Sequence, residues 1–246
     1  MSAEPVIEMV GAGIGMDPEA PPLLSGVTWS VRAGEFWVVT GSHGAGKSLL
    51  LETMAGIRPC RGGDVRWFGN RPGVPAEPAS GRTRLGERIG LVFDGGGRVF
   101  TSQTVAENLC IPLCYHSGCD PEEALQRTAA LRSATELEPF ARVPAGRLGR
   151  AWMQRVALAR ALALSPEVLL LDNPIAGMDP SHVAWWCAFL SRLSGGHPAA
   201  GGKPMTLVLT TDHAALWAGA GRQFAVLKSG SVELPGARSA LTPLAA

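Results

Sequence analysis

The chain has 246 residues and a formal net charge of +1, from 22 basic and 21 acidic side chains. That balance excludes a strongly basic nucleic-acid binder and an acidic tail protein. Apolar residues make up 46% and charged ones 17%, enough to bury a core in one large domain or two small ones.

The N-terminus, MSAEPVIEMV, lacks a basic start and a long apolar core, which argues against a secretory signal. No apolar run approaches the ~20 residues needed to cross a bilayer. The first expected strand is Val6–Val10. Gly11, Gly13 and Gly15 follow it, but not in the G-x-G-x-x-G spacing, and a Pro-rich stretch stands where a helix should begin, so the run reads as a turn. Phe36–Thr40 is a nearly continuous apolar run, the pattern of a parallel strand covered on both faces. A helical pattern, Lys47–Ala55, comes next, then strand Val65–Phe68. The Pro- and Gly-rich stretch Asn70–Gly86 reads as a loop. Strand Ile89–Phe93 is followed by helical patterns at Pro121–Leu137 and Trp152–Leu164. Strand Val168–Leu171, helix Pro180–Leu193, a turn at Gly195–Pro204, and strands Leu207–Thr210 and Phe224–Leu227 complete the order. Strands alternating with helices predict an α/β fold with a parallel sheet.

Five cysteines are an odd number, and without an export signal a disulfide framework is not expected. Cys110, Cys114 and Cys119 lie close together with His116, but their spacing matches no zinc or iron–sulfur pattern. Packed thiols are the favoured reading.

Gly41-Ser42-His43-Gly44-Ala45-Gly46-Lys47-Ser48 fits G-x-x-x-x-G-K-[ST] in full, between an apolar strand and a helical pattern. Glycines let backbone N–H groups close on phosphate oxygens, and the helix N-terminus adds partial positive charge. Lys47 is suited to the β/γ-phosphates and Ser48 to Mg²⁺. His43 occupies a variable position of the loop. Leu49 continues it into the helix. Downstream, Asp172 ends an apolar strand, where a P-loop fold holds its metal-side carboxylate.

From here the chain resembles a known family. Gln154-Arg155-Val156-Ala157-Leu158-Ala159-Arg160-Ala161-Leu162 resembles the stretch after the signature motif of ABC transporter ATPases. Asn173-Pro174 and Gly177-Met178-Asp179 resemble that family's Pro turn and D-loop. Val92-Phe93-Asp94, with Thr104-Val105-Ala106-Glu107-Asn108-Leu109, resembles its Q-loop and the start of its helical subdomain. Ala225–Gly230 resembles its closing strand and turn. The matches run in family order over residues ~6–233. Gly95–Phe100 and the Glu-Asn-x-x-x-Pro-Leu pattern at 107–113 are similar to Mla/MCE-type lipid transporters. The resemblance implies a P-loop NTPase fold: a RecA-like α/β core, an N-terminal antiparallel β part and a helical subdomain at about 95–165, within a single ATP-binding domain at 1–246. It implies ATP and Mg²⁺ as ligands, with Ser48, Asp172 and Asp94 on the metal. It also implies head-to-tail pairing with a second ATPase subunit, docking on integral membrane permease subunits, and a cytoplasmic, peripheral membrane location. Nucleic acid is not an expected partner.

Against that pattern the chain departs at several positions. The family's Leu-Ser-Gly-Gly-Gln signature aligns with Leu148-Gly149-Arg150-Ala151-Trp152, so Gly149 and Arg150 are the candidate phosphate contacts there. The Glu that polarises the attacking water is Asn173, and an amide is not a useful base near neutral pH. The Q-loop Gln position is Asp94. The switch His position is Asp212, with His213 beside it. No aromatic residue lies between Val10 and Leu24 to stack on adenine, which leaves Ile14 or Met16 for that contact. Together these predict a subunit that binds Mg·ATP but hydrolyses it poorly. Two function classes follow. One is an energising ATPase subunit of a transporter. The other is a non-hydrolysing, regulatory or structural half of an asymmetric pair. Of the tryptophans, Trp185 and Trp186 point in different directions on a helix, so one of the two is expected to be fully buried.

Overall fold

Residues 4–17, 19–70, 85–219 and 221–234 are described in a computed structural model. They fall into two units, one formed by the N-terminal part together with the C-terminal strands, the other by Glu87–Met205. The first unit opens with β1 (Pro5–Ile14), β2 (Leu24–Arg32), β3 (Phe36–Gly41), α1 (Lys47–Met54) and β4 (Asp64–Trp67). A single turn, α2 (Leu85–Arg88), leads to β5 (Ile89–Val92). Then come α3 (Val105–Ser117), α4 (Pro121–Arg127), α5 (Ala129–Ala134) and α6 (Arg150–Leu162). β6 (Val168–Leu171) and α7 (Pro180–Gly195) end the second unit. The chain returns to the first unit as β7 (Thr206–Thr210), β8 (Arg222–Lys228) and β9 (Ser231–Glu233). The expected α/β class is what forms, with an antiparallel part near the N-terminus.

In the first unit β1 pairs antiparallel with β2 and with β4. Its alternating pattern turns Ile7 and Met9 inward, opposite Val31 and Trp29 on β2. β3 runs parallel to both β7 and β8, and β9 closes β8 as an antiparallel strand. β3 and β7 are buried along almost their full length, as their continuous apolar runs require. Trp29 of β2 meets Trp37 of β3 edge to face, with ring centroids 5.0 Å apart, and so ties the antiparallel part to the parallel strands.

The glycine run after Val10 is not a turn. Gly11 and Gly13 lie within β1, where the register shifts between Met9 and Ala12. Gly11 has a φ of 61°, so the shift is a bulge that L side chains tolerate poorly. Gly13 exchanges two backbone hydrogen bonds with Arg61, at 2.9 and 2.7 Å. A Cβ at Gly13 would stand 2.3 Å from the Arg61 carbonyl oxygen. Glycine is needed there for close approach, not for chain reversal.

In the second unit β5 and β6 run parallel. The expected helix Pro121–Leu137 is two helices. Thr128 separates them: its hydroxyl donates back to the carbonyls of Ala124 (2.9 Å) and Leu125 (3.2 Å). The buried Arg132 guanidinium in turn donates to Thr128 Oγ1 and to the Leu125 carbonyl, holding the break. α3 begins with a capping box, in which Thr104 and Glu107 satisfy each other's backbone N–H. The Thr104 backbone and side-chain hydrogen bonds hold the Glu107 carboxyl below its usual range. The Asn70–Gly86 loop lies almost wholly outside the described residues.

Asn108, next in sequence, is fully buried. Its amide accepts from the Phe100 N–H at 2.9 Å and donates to the carbonyls of Phe100 (2.9 Å) and Thr104 (3.0 Å). It thereby fixes the loop that enters α3. Asn108→Ala should strand these groups and lower unfolding free energy by about 2–3 kcal/mol. Urea denaturation checks this, and a loss below about 0.5 kcal/mol would show that water replaces the amide.

Candidate functional site

In the first unit β3 ends at Gly41, and its close parallel partner sets the residue type there. A Cβ on Gly41 would lie 2.9 Å from the Leu227 carbonyl oxygen of β8. The loop then turns, with the Ala45 N–H donating to the Ser42 carbonyl at 3.1 Å. Gly44 and Gly46 have φ values of 78° and 97°, in the left-handed region that favours glycine. Gly46 caps α1, and its carbonyl receives the Leu50 N–H at 2.9 Å. No side chain caps this helix, so its first N–H groups face the loop. Leu50, Leu51 and Met54 bury the opposite face of α1. Ser42, His43, Gly44 and Ser48 are exposed, and Ala45 and Leu49 are half-buried.

Lys47 bends back over this loop. Its Nζ donates to the Gly41 carbonyl at 2.7 Å and to the Ser42 carbonyl at 3.1 Å. It also pairs with Asp212 Oδ1 at 2.9 Å. Topology brings Asp212 there. β7 lies beside β3, with Val39 opposite Thr210. The Thr211 N–H then donates to the Val39 carbonyl at 3.0 Å. The residue after buried Thr211 is therefore laid alongside the loop that leaves β3. Of the two switch candidates, Asp212 is the one whose side chain reaches the lysine. His213 is exposed, and its N–H donates to Thr211 Oγ1. Donors, a free helix start and one lysine make this loop fit a polyphosphate. A Ser48 hydroxyl in the first turn of α1 fits a hard cation beside it. Ile14 is fully buried, whereas Met16 is 76% exposed, so of the two only Met16 offers a face to a base.

In the second unit Asp94 starts a short 3-10 turn after β5, and Arg150 starts α6 behind its N-cap, Gly149. Arg150 Nη2 donates to Asp94 Oδ1 at 2.7 Å. Two of the candidate site residues thus pair with each other. Both side chains are about half exposed (53% and 48%). Gly149 has an ordinary φ of −63°, and a Cβ there would meet nothing within 4 Å. Gln154 of α6 donates to the Phe93 carbonyl at 3.0 Å, a second tie between α6 and the segment after β5.

Buried Asp172 directly follows β6, and its N–H donates to the Val92 carbonyl of β5 at 2.8 Å. Asn173 follows at a φ of 42°. Asn is among the few L residues that enter the left-handed region readily. Asp179 then caps α7, accepting from the N–H groups of Ser181 and His182 and from the Ser181 hydroxyl. These bonds, the Ser181 hydroxyl first, hold its carboxyl below the usual carboxylate range. His182 Nδ1 lies 2.7 Å from Asp179 Oδ2, and Trp152 of α6 stands edge-on to His182 at 5.5 Å. Trp186 is fully buried and Trp185 is not, as their adjacency on α7 predicts.

The cysteine run forms no metal centre among the described residues. Cys110 and Cys119 are buried with Leu113 and Ala124, and burial pushes the Cys110 thiol up. Cys119 Sγ accepts from Arg127 at 2.7 Å. No helix among the described residues is long and apolar enough to cross a membrane.

The ABC transporter family model matches residues 24–176. A methionine import ATP-binding protein from Caulobacter vibrioides is 37% identical over 159 residues, 65% of this chain and 47% of that protein. A molybdenum import ATP-binding protein from Mycobacterium tuberculosis is 37% identical over 161 residues, 64% of this chain and 43% of that protein. The chain thus spans about half the length of the curated relatives it matches. Among solved structures, the ATP-binding cassette MJ0796, a dimer bound to ADP and Pi, superposes with a TM-score of 0.78 at 26% identity. That match covers 94% of this chain and 99% of the other.

Proposed function

Because this chain belongs to the ABC transporter family, we propose that it is an ATP-binding subunit of a membrane transporter, one that binds Mg·ATP well and hydrolyses it weakly or not at all. The observation that carries the binding half is the loop between β3 and α1, with Lys47 drawn over its carbonyls. The observation that carries the weak-hydrolysis half is Asn173, an amide directly after Asp172, the carboxylate that follows β6. Without a base in that place, rate falls by roughly 10²–10⁴. Bound Mg²⁺ supplies positive charge at the phosphate oxygens, and in the first unit Ser48 is the residue proposed to hold it.

The expected partners are permease subunits and a second ATPase subunit, and the expected place is the cytoplasmic face of a membrane. The two units are read as one cassette, with residues about 95–165 forming its helical part. A second reading, the non-hydrolysing half of an asymmetric pair, draws on Arg150. In the family's head-to-tail dimer the signature segment faces the partner's nucleotide, and here that segment presents a guanidinium already paired with Asp94.

The experiment measures Mg·ATP binding and steady-state hydrolysis on the purified chain, alone and with a co-purifying ATPase subunit. Binding that is lost in Lys47→Ala, with turnover well below ~1 s⁻¹, is the expected result. Turnover within the ordinary range of ~1–10³ s⁻¹ by the chain alone would overturn the weak-hydrolysis reading. Turnover at that rate only with the second subunit would favour the asymmetric pair.

A further inference from the structure

The ion pair between Lys47 and Asp212 deepens the nucleotide-binding reading and rests on it. Lys47 is the one side-chain cation of the P-loop, and its side chain is only 12% exposed. Asp212 reaches it at 2.9 Å, and its own side chain is 48% exposed. A carboxylate at hydrogen-bond distance from that ammonium is an oxyanion where a phosphate oxygen would otherwise sit. The arrangement is built by the strands. Thr211, fully buried, is fixed by its N–H to Val39, and this places Asp212 next to the loop. The loop carbonyls of Gly41 and Ser42 take the rest of the lysine's hydrogen bonds.

We propose that Asp212 is an internal competitor for the P-loop lysine, a specificity determinant that sets how much anionic charge a ligand must bring to bind. A phosphate oxygen and the Asp212 carboxylate compete for one ammonium. The carboxylate is covalently attached, so its effective concentration is high and does not fall with dilution. Binding therefore exchanges one charge-assisted hydrogen bond for another instead of adding one. A ligand that makes several contacts to the loop, such as a nucleoside triphosphate, wins this exchange. Inorganic phosphate, which offers one tetrahedron, does not. On exchange the half-exposed Asp212 side chain turns to water, which lowers the cost of releasing it.

The test is calorimetric titration of the full chain with Mg·ATP, inorganic phosphate and adenosine. It compares the wild type with Asp212→Asn, Asp212→Ala and Asp212→Glu. Removing the carboxylate should tighten Mg·ATP by roughly tenfold or more, the worth of a charge-assisted hydrogen bond. Inorganic phosphate should become measurably bound. Adenosine, which has no phosphate, should not change. Asp212→Glu keeps the charge and should stay near the wild-type value. Asn and Ala variants that bind Mg·ATP no tighter than wild type, while Lys47→Ala still abolishes binding, would overturn the competitor role and leave the nucleotide-binding reading standing. Equal tightening of adenosine would overturn it too, because the effect would then not act on phosphate. If neither wild type nor variants bind Mg·ATP, both the nucleotide-binding reading and the competitor role fall.

Discussion

Asn173→Glu is expected to raise steady-state ATP hydrolysis by roughly 10²–10⁴, the usual worth of a positioned general base. The same change should cost stability. Asn173 sits at a φ of 42°, where Asn is tolerated and a longer L residue is strained by about 1–2 kcal/mol. The gain in rate and the loss in unfolding free energy are therefore predicted together. Asn173→Gln separates them, since it carries the same backbone strain without a base. It should lower the urea midpoint as Glu does and leave hydrolysis where it was. If Glu and Gln leave hydrolysis equally low, a missing base is not what limits this chain, and the acids at 94 and 212 become the next positions to change.

Arg155→Ala is expected to be the most destabilising single change on α6, at about 3 kcal/mol. The Arg155 guanidinium lies between two indoles, with Cζ 4.5 Å from the Trp152 ring centre and 3.8 Å from that of Trp185. Its side chain is 5% exposed, and it also pairs with Glu136, two residues beyond α5. A cation between two aromatic faces gains more than a surface pair, and truncation also opens a cavity between α6 and α7. Arg155→Met fills the same volume without the charge. Its loss should be smaller, about 1 kcal/mol, since the Arg155 Nε is buried without a hydrogen-bond partner among the described residues and that cost disappears with the guanidinium. Equal losses for Ala and Met in urea denaturation would mean that the charge, not the filled space, holds the helices.

Much of this architecture is written locally, and those parts were legible. The strand–loop–helix from Phe36 to Met54 needs only an apolar run, three spaced glycines and a helical pattern, all adjacent in the chain. Val168–Leu171 forms a strand with the expected bounds for the same reason. The misreadings have a common physical origin, which is that distant groups decide. Gly13 looks like turn chemistry until Arg61 is seen to press against it. Thr128 splits a continuous helical pattern because Arg132 supports the break. β2 carries no clear strand signal of its own, since its alternation runs through Gly26 and polar residues, and pairing with β1 turns Val27, Trp29 and Val31 inward. The candidate site divides in the same way. The lysine, the serine and the other candidate positions are readable one at a time. Their pairing, Lys47 with Asp212 and Arg150 with Asp94, comes from strand register and helix placement, which no single segment encodes.

The Asp94–Arg150 pair has a bearing on how such a chain drifts over generations. Each side chain is about half in water, so the bond between them is worth only about 0.2–1 kcal/mol. Loss of either partner would barely disturb folding, and mutation could erase the pair at little cost to protein abundance. Selection for a stable fold has almost no grip on it. Joint retention of an acid and an arginine at these two places across orthologues would record a demand of another kind, one made by the work of the chain, and their independent wandering would mark the pair as a passing accident of descent.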